Sequence, residues 1–97
     1  MAYEIVLAPE AMEDLHGLRA NIRAAVRKAF ETHLRHEPGK TSQSRIKRLR
    51  GLRRPRYRLR VGEARVFYDI SGSTVEILAI VTKSEAEGWL RQFGDPA

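Results

Sequence analysis

Between Lys40 and Arg65 the chain carries eleven basic residues: Lys40, Arg45, Lys47, Arg48, Arg50, Arg53, Arg54, Arg56, Arg58, Arg60 and Arg65. The only acid in that stretch is Glu63, so the segment has a formal charge of +10. The whole protein is +6, which leaves −4 for the remainder. Nine of the eleven are Arg, whose planar fork of N–H donors fits phosphate, whereas Lys serves solubility equally well. A concentrated, Arg-biased cation of this kind points to a polyanion partner.

Other chemistries are poorly supplied. There is no Gly-rich phosphate loop, no His-x-Glu or Cys pair for zinc, and no Gly-x-Ser-x-Gly elbow. His16, His33 and His36 fall in or beside predicted helices and read as surface or packing histidines. Glu85 and Glu87 fit capping better than paired acid–base work. No metal and no cofactor is expected. If the protein is an enzyme, its site is built mostly from Arg, Lys and aromatic side chains.

The elements that must position these residues follow from periodicity. Tyr3–Ala8 reads as a short strand, and Pro9 opens a helix with Glu10, Glu13 and Asp14 near its positive end. Met12, Leu15, Leu18, Ile22, Val26, Ala29, Phe30 and Leu34 recur at helical spacing. Gly17 weakens the middle and Asn21 suits a fresh N-cap, so two helices over about 9–18 and 21–35 form a hairpin. His36-Glu37-Pro38-Gly39 stops the second. Residues 40–55 read as a loop with a short helical turn near Ile46–Leu49.

Three strands follow. Over Arg56–Val61, Tyr57, Leu59 and Val61 face one way and Arg56, Arg58 and Arg60 the other. Gly62-Glu63 is a two-residue turn. Arg65–Ile70 returns, and after Ser71-Gly72-Ser73 comes a central strand over Thr74–Val81. Ser84-Glu85-Ala86-Glu87 opens a last helix carrying Trp89, Leu90 and Phe93. The order β-α-α-β-β-β-α gives an α+β fold: an antiparallel sheet with an N-terminal helical hairpin on one face. The opposite face is expected to stand open, bearing Arg56, Arg58 and Arg60, joined by Arg65. Tyr57, Phe67 and Tyr68 read as sheet packing.

Ninety-seven residues make one domain, 1–97, that buries about 60–65% of its unfolded surface. With no cysteine there is neither a disulfide framework nor a Cys-type zinc site. No apolar run approaches the roughly 20 residues of a membrane span, and Met1–Pro9 lacks the basic-then-apolar order of a leader. A cytoplasmic protein without a membrane partner is expected.

The order of elements, together with Leu49-Arg50-Gly51, Tyr57-Arg58-Leu59-Arg60, Arg65-Val66-Phe67-Tyr68 and Ala79-Ile80-Val81-Thr82-Lys83, resembles the RelE/ParE toxin superfamily. The resemblance runs from Tyr3 to about Phe93 and implies the RelE-like microbial RNase fold. Members of this superfamily are toxins of type II toxin–antitoxin pairs. RelE-like ones enter the ribosomal A site and cleave mRNA without metal, and ParE-like ones inhibit DNA gyrase. The resemblance implies a ribosome-dependent mRNA endoribonuclease. The alternative is a ParE-like gyrase inhibitor or a non-cleaving RNA-binding member of the fold. Implied partners are the ribosome with its mRNA, and a cognate antitoxin whose acidic or amphipathic segment covers the arginines or displaces the last helix.

Carried onto this sequence, the resemblance makes Arg58, Arg60, Arg65 and Lys83 the catalytic candidates. Arg65 would hold the scissile phosphate and stabilise its growing charge. Lys83 would protonate the leaving 5′ oxygen, and Arg50 matches the Leu-Arg-Gly motif. Trp89 would orient or stack on mRNA. Lys47, Arg48, Arg53, Arg54 and Arg56 complete the RNA-binding set. Two positions depart from the family pattern. Arg60 stands where a lysine would act as general base, and arginine, which keeps its proton in proteins, is a poor base. Ser84 follows Lys83 where Lys-Arg or His-Arg is common. Lys83, whose ammonium can give up a proton as a guanidinium cannot, is then the candidate for proton transfer.

Overall fold

The structure is a computed structural model that describes residues 2–97; of the expected domain, Met1 lies outside the described residues. Strand β1 (Glu4–Leu7) leads into helices α1 (Pro9–His16) and α2 (Ala20–Ala29), the latter continued by a π-helical turn, Phe30–Leu34. Then come β2 (Ile46–Arg48), β3 (Leu52–Arg54), β4 (Tyr57–Val61), β5 (Ala64–Ser71), β6 (Thr74–Thr82), α3 (Lys83–Phe93) and β7 (Asp95–Pro96). Five strands form one sheet in the order β1-β6-β5-β4-β2, and β3 pairs with β7 in a separate ribbon. The β4-β5-β6 meander is antiparallel as expected; β1 adds to the far side of β6 in parallel. No helix among the described residues is long and apolar enough to cross a membrane.

Pro9 sits in the first turn of α1, where its missing N–H costs nothing. The helical stripe then buries Ala11, Leu15, Val26, Ala29, Phe30 and Leu34 against Leu59, Val66, Tyr68, Val75, Ile77 and Ile80 of the sheet. Met12 and Ile22, expected in the same stripe, stay 41% and 37% exposed. Ile22 lies one turn before Val26 and lines an open groove with Val61 and Ile80. Helix α2 starts at Ala20, with Arg19 rather than Asn21 in the cap position and no capping side chain.

A bulge re-phases the central pair. Phe67 faces Ala79 whereas Tyr68 faces Ile77, so Leu78 is an extra residue on β6. That is why the core residues of β6 run 75, 77 and then 80. Tyr68 is fully buried, stacks on Tyr57 at 5.4 Å, and donates from its hydroxyl to the Pro38 carbonyl at 2.6 Å. Burial pushes its phenol pKa up, so it stays the neutral donor. This bond ties the segment after α2 to the sheet.

Three expectations are corrected. Residues 46–48 and 52–54, expected to lie in a loop with a helical turn near 46–49, are strands. Ile46 faces Leu59 and is 4% exposed, and pairing with β4 outweighs any local helical preference. The sheet face opposite α1 and α2 is not open either. Trp89 of α3 stacks on Phe67 at 5.1 Å, and Phe67 shares a face with Arg58 in the β4–β5 register. The last helix therefore packs on the arginine side. Its N-cap is Thr82 rather than Ser84, with Glu85 closing the box by accepting from the Thr82 N–H at 3.1 Å and hydroxyl at 2.8 Å. A Cβ at Gly94 would strike the Leu90 carbonyl and press on Leu52 of β3, so glycine is required where the chain leaves α3 for β7.

Tyr68→Phe leaves the buried Pro38 carbonyl without its donor and should cost about 1–3 kcal/mol in urea unfolding. An unchanged midpoint would show that the bond contributes nothing. Trp89→Ala should cost roughly 2–4 kcal/mol. Its gain in amide exchange should be concentrated in α3 and β7, and a uniform gain across α1 and α2 counts against local anchoring. The Glu85 carboxyl lies below its ordinary 4.5 because the Thr82 N–H, then its hydroxyl, donate to it. The cap's contribution is complete above that ordinary value and is lost as pH falls through the lowered one. Exchange in the first turn of α3 should therefore rise on acidification, and E85Q should remove that dependence.

Candidate functional site

Cross-strand pairing sets the site. Lys47 of β2 faces Arg58 of β4, Arg58 faces Phe67 of β5, and Arg60 faces Arg65. Residues directly opposite share a face with Cβ atoms roughly 5 Å apart, so four cations meet on one side of the sheet. The hairpin is held by its turn, where Gly62 adopts φ +57°. That conformation is strained for other residues.

The four cations differ in environment. Arg65 is only 7% exposed, and its Nη1 donates to the carbonyls of Gly62 (2.8 Å) and Ala64 (3.0 Å). Those two bonds aim the guanidinium back over the turn. Arg58 is half-buried; its Nη2 reaches the Ser44 carbonyl at 3.4 Å, and its Nε is buried with no acceptor among the described residues. Burial, then the Arg65 and Arg60 guanidiniums, push the Arg58 pKa below its ordinary value. Arg60 is exposed and opens onto a cavity of about 270 Å³ lined also by Ser44, Arg45 and Gly62. Like charges this close cost energy that an anion would return, with donors already oriented.

Lys83 is exposed at the start of α3, where its N–H donates to the Glu63 carbonyl at 2.7 Å. That bond places it across the β4–β5 turn. Trp89 is half-buried, with one ring face on Phe67 and Phe93 tilted against it at 5.5 Å.

The remaining candidates divide into two groups away from the cluster. Arg53 pairs with Asp95 at 3.3 Å, and Arg54 with Glu76 at 2.7 Å and Asp69 at 3.9 Å. Arg56 precedes β4; its N–H donates to Asp69 at 2.7 Å and its Nε to the Arg53 carbonyl at 3.3 Å. Arg56 therefore does not extend the row of Arg58 and Arg60 as alternation implied. Arg48 lies over the Tyr57 ring at 5.6 Å, on the face opposite Arg58, and Arg50 is exposed in the turn between β2 and β3.

Sequence reasoning gave Arg45 no part in the site. A three-residue strand within a run of polar and basic residues carries too little alternation to show that Arg45 would line up beside Arg60. Its carbonyl accepts the Arg60 N–H at 2.8 Å. Among the described residues, no group of three His, Asp or Glu side chains is arranged to hold a metal ion. The arrangement is suited to binding a phosphodiester through fixed guanidinium donors.

A family model described as the ParE toxin of the type II toxin–antitoxin system parDE matches residues 5–87. Among solved structures, the RelBE2 toxin–antitoxin complex of Mycobacterium tuberculosis is similar at 30% identity and TM-score 0.67, over 84% of this chain and 92% of that one. The RelB–RelE antitoxin–toxin complex of Methanococcus jannaschii matches at 19% identity and TM-score 0.66, over 87% and 96% of the two chains. A mutant of the Escherichia coli toxin RelE in the free state matches at 16% identity and TM-score 0.58, over 96% and 99%. The last two likenesses speak to the fold. The comparison with curated proteins gives no match. By its family match and the fold it shares with these toxins, the chain belongs to the RelE/ParE superfamily of type II toxin–antitoxin toxins.

Proposed function

We propose that this toxin is an RNA-cleaving member of its superfamily, acting on mRNA at the ribosome and held inactive by a cognate antitoxin. The observation that carries the reading is the Arg58–Arg60–Arg65 cluster, in which a buried Arg58 N–H has no acceptor among the described residues and lies beside like charges. In the reaction, the 2′ oxygen attacks the adjacent phosphorus and the bond to the 5′ oxygen breaks, leaving a cyclic phosphate and a 5′-hydroxyl. Arg58 and Arg65 hold the phosphate and stabilise the charge that grows on its oxygens, and Arg60 covers the open side. None of the three guanidiniums can take the 2′ proton. Proton transfer falls to Lys83 at the rim or to groups of the ribosome. The antitoxin reading is supported by the similar solved complexes, in which toxins of this fold are bound to antitoxins.

A second reading is inhibition of DNA gyrase without RNA cleavage. It is favoured by Arg60 at a position where a nuclease of this fold uses lysine, and by the match to a ParE family model.

Induced expression followed by mapping of mRNA 5′ ends separates the two. Codon-phased breaks are expected, and Arg58→Ala should lower cleavage about 10²–10³-fold with the fold retained. Arg60→Ala, at an exposed position, should lower it less. DNA-damage signalling with intact mRNA would replace the nuclease reading by the gyrase one. Arg65→Ala is a poorer probe, because removing its Nη1 leaves the Gly62 and Ala64 carbonyls without their donor and costs about 1 kcal/mol or more of stability.

A further inference from the structure

The fold sorts eight of the eleven cations of the basic segment into three sets, and one of these touches the site described above only through Lys47. Arg53 and Arg54 are neutralised by Asp95, Asp69 and Glu76. Arg58, Arg60 and Arg65 form the cluster. Lys47, Arg48 and Arg50 line an open groove of about 610 Å³ at the β2 edge of the sheet, with the Ser42 hydroxyl beside them. All three cations are exposed, and none makes an ion pair among the described residues. Arg48 is steadied over the Tyr57 ring, and the Ser42 Oγ accepts from the Arg45 and Ile46 N–H groups, which leaves its own hydrogen to donate.

Lys47 belongs to both sets: it faces Arg58 across the β2–β4 ladder and lines the groove. Arg48, the next residue, points to the opposite face, beside Tyr57. Successive side chains of this edge strand therefore lead cations around the edge of the sheet. At the other end of the cluster face the Asp69 and Glu76 carboxylates are paired with Arg54, so that end offers no unpaired row of cations to a second phosphate.

We propose that the RNA strand held at Arg58, Arg60 and Arg65 leaves the site over the β2 edge, past Lys47, with its next phosphates in the groove at Arg48 and Arg50. The inference rests on the RNA-binding part of the proposed function and does not require cleavage. A single strand of phosphates fits better than a compact anion, because the cations lie in series and are shared at Lys47. The groove adds length-dependent affinity to the site without bearing on the reacting phosphate.

The test is fluorescence anisotropy of the full chain with labelled single-stranded RNAs, a trimer and a nonamer, each 2′-O-methylated so that neither is cut. For the wild-type protein the nonamer should bind more tightly and with the steeper salt dependence. In the Arg48→Gln/Arg50→Gln double variant, nonamer affinity should fall about tenfold and its log–log salt slope should flatten by about 1.4, the value for two lost phosphate contacts on a single strand. Trimer affinity should stay within about twofold of the wild type, and the Arg48→Lys/Arg50→Lys variant should recover most of the slope. Thermal melts of each variant confirm that the fold is retained. Unaltered nonamer binding in the Gln variant overturns the route, as does an equal loss for trimer and nonamer. Retained RNA binding with weakened binding of the acidic antitoxin segment would assign the groove to that partner instead and likewise overturn it. The proposed function fails separately: there, Arg58→Gln would leave the affinity for both RNAs intact.

Discussion

Arg60 lies directly opposite Arg65 in the β4–β5 ladder, and much of the rest is arranged around that juxtaposition. Two like charges in this relation oppose the pairing that creates them. The hairpin nevertheless forms because its other face buries Leu59 and Val66 completely in the core, and because the turn carbonyls of Gly62 and Ala64 accept from Arg65. At about 25 cal/mol per Å² of apolar surface removed from water, two buried aliphatic side chains outweigh a cross-strand charge repulsion of roughly 0.2–1 kcal/mol. Apolar burial on one side of the sheet thus holds together, on the other, cations that would otherwise drift apart.

The C-terminal helix acts on the same face in the opposite sense. Its Trp89 ring covers Phe67 and its following chain clasps β3 through β7, so β5 is shielded while β4 and β2 stay open toward solvent. No residue of α3 is fully buried, and the helix is attached by a ring stack, a capping box and a two-residue ribbon. Helices attached in this way belong to the parts of a fold that open at low cost. Arg65 sits near the start of this helix, deep in the face, and Arg60 outside it. Charge is graded across the site from a buried, tethered guanidinium to an exposed one.

Much of this was legible in the residues. Alternation in Tyr57-Arg58-Leu59-Arg60-Val61 correctly placed Leu59 inward and the two arginines together, because a strand has a side-chain period of two whatever surrounds it. Helical spacing in Val26, Ala29, Phe30 and Leu34 marked the packed stripe in the same way. The failures came where local signal was weak or misleading. Ile46-Lys47-Arg48 is too short and too charged to show a period, and only pairing with β4 makes it a strand. Thr82 takes the cap ahead of Ser84 because the strand ends there and Glu85 lies three residues on. Arg56 continued the alternation on paper, yet the Asp69 side chain takes its N–H and ends the ladder one residue earlier.

By itself the sequence determined the amount and location of positive charge, the order of the first strand, the helices and the three-strand meander, and the faces on which Arg58 and Arg60 stand. These follow from local periodicity and composition, which need no knowledge of what packs against what. Only the tertiary structure decided which arginines remain available. Asp69, Glu76 and Asp95 lie far along the chain from Arg53 and Arg54 and neutralise them through contacts that no local pattern encodes. It also decided that α3 covers the arginine side, since Phe67 and Trp89 meet only after β6 has brought the chain back across the sheet. Electrostatic pairing and burial depend on distance in space, and a +10 segment becomes a defined site only when the fold has paired some of its charges and left others exposed.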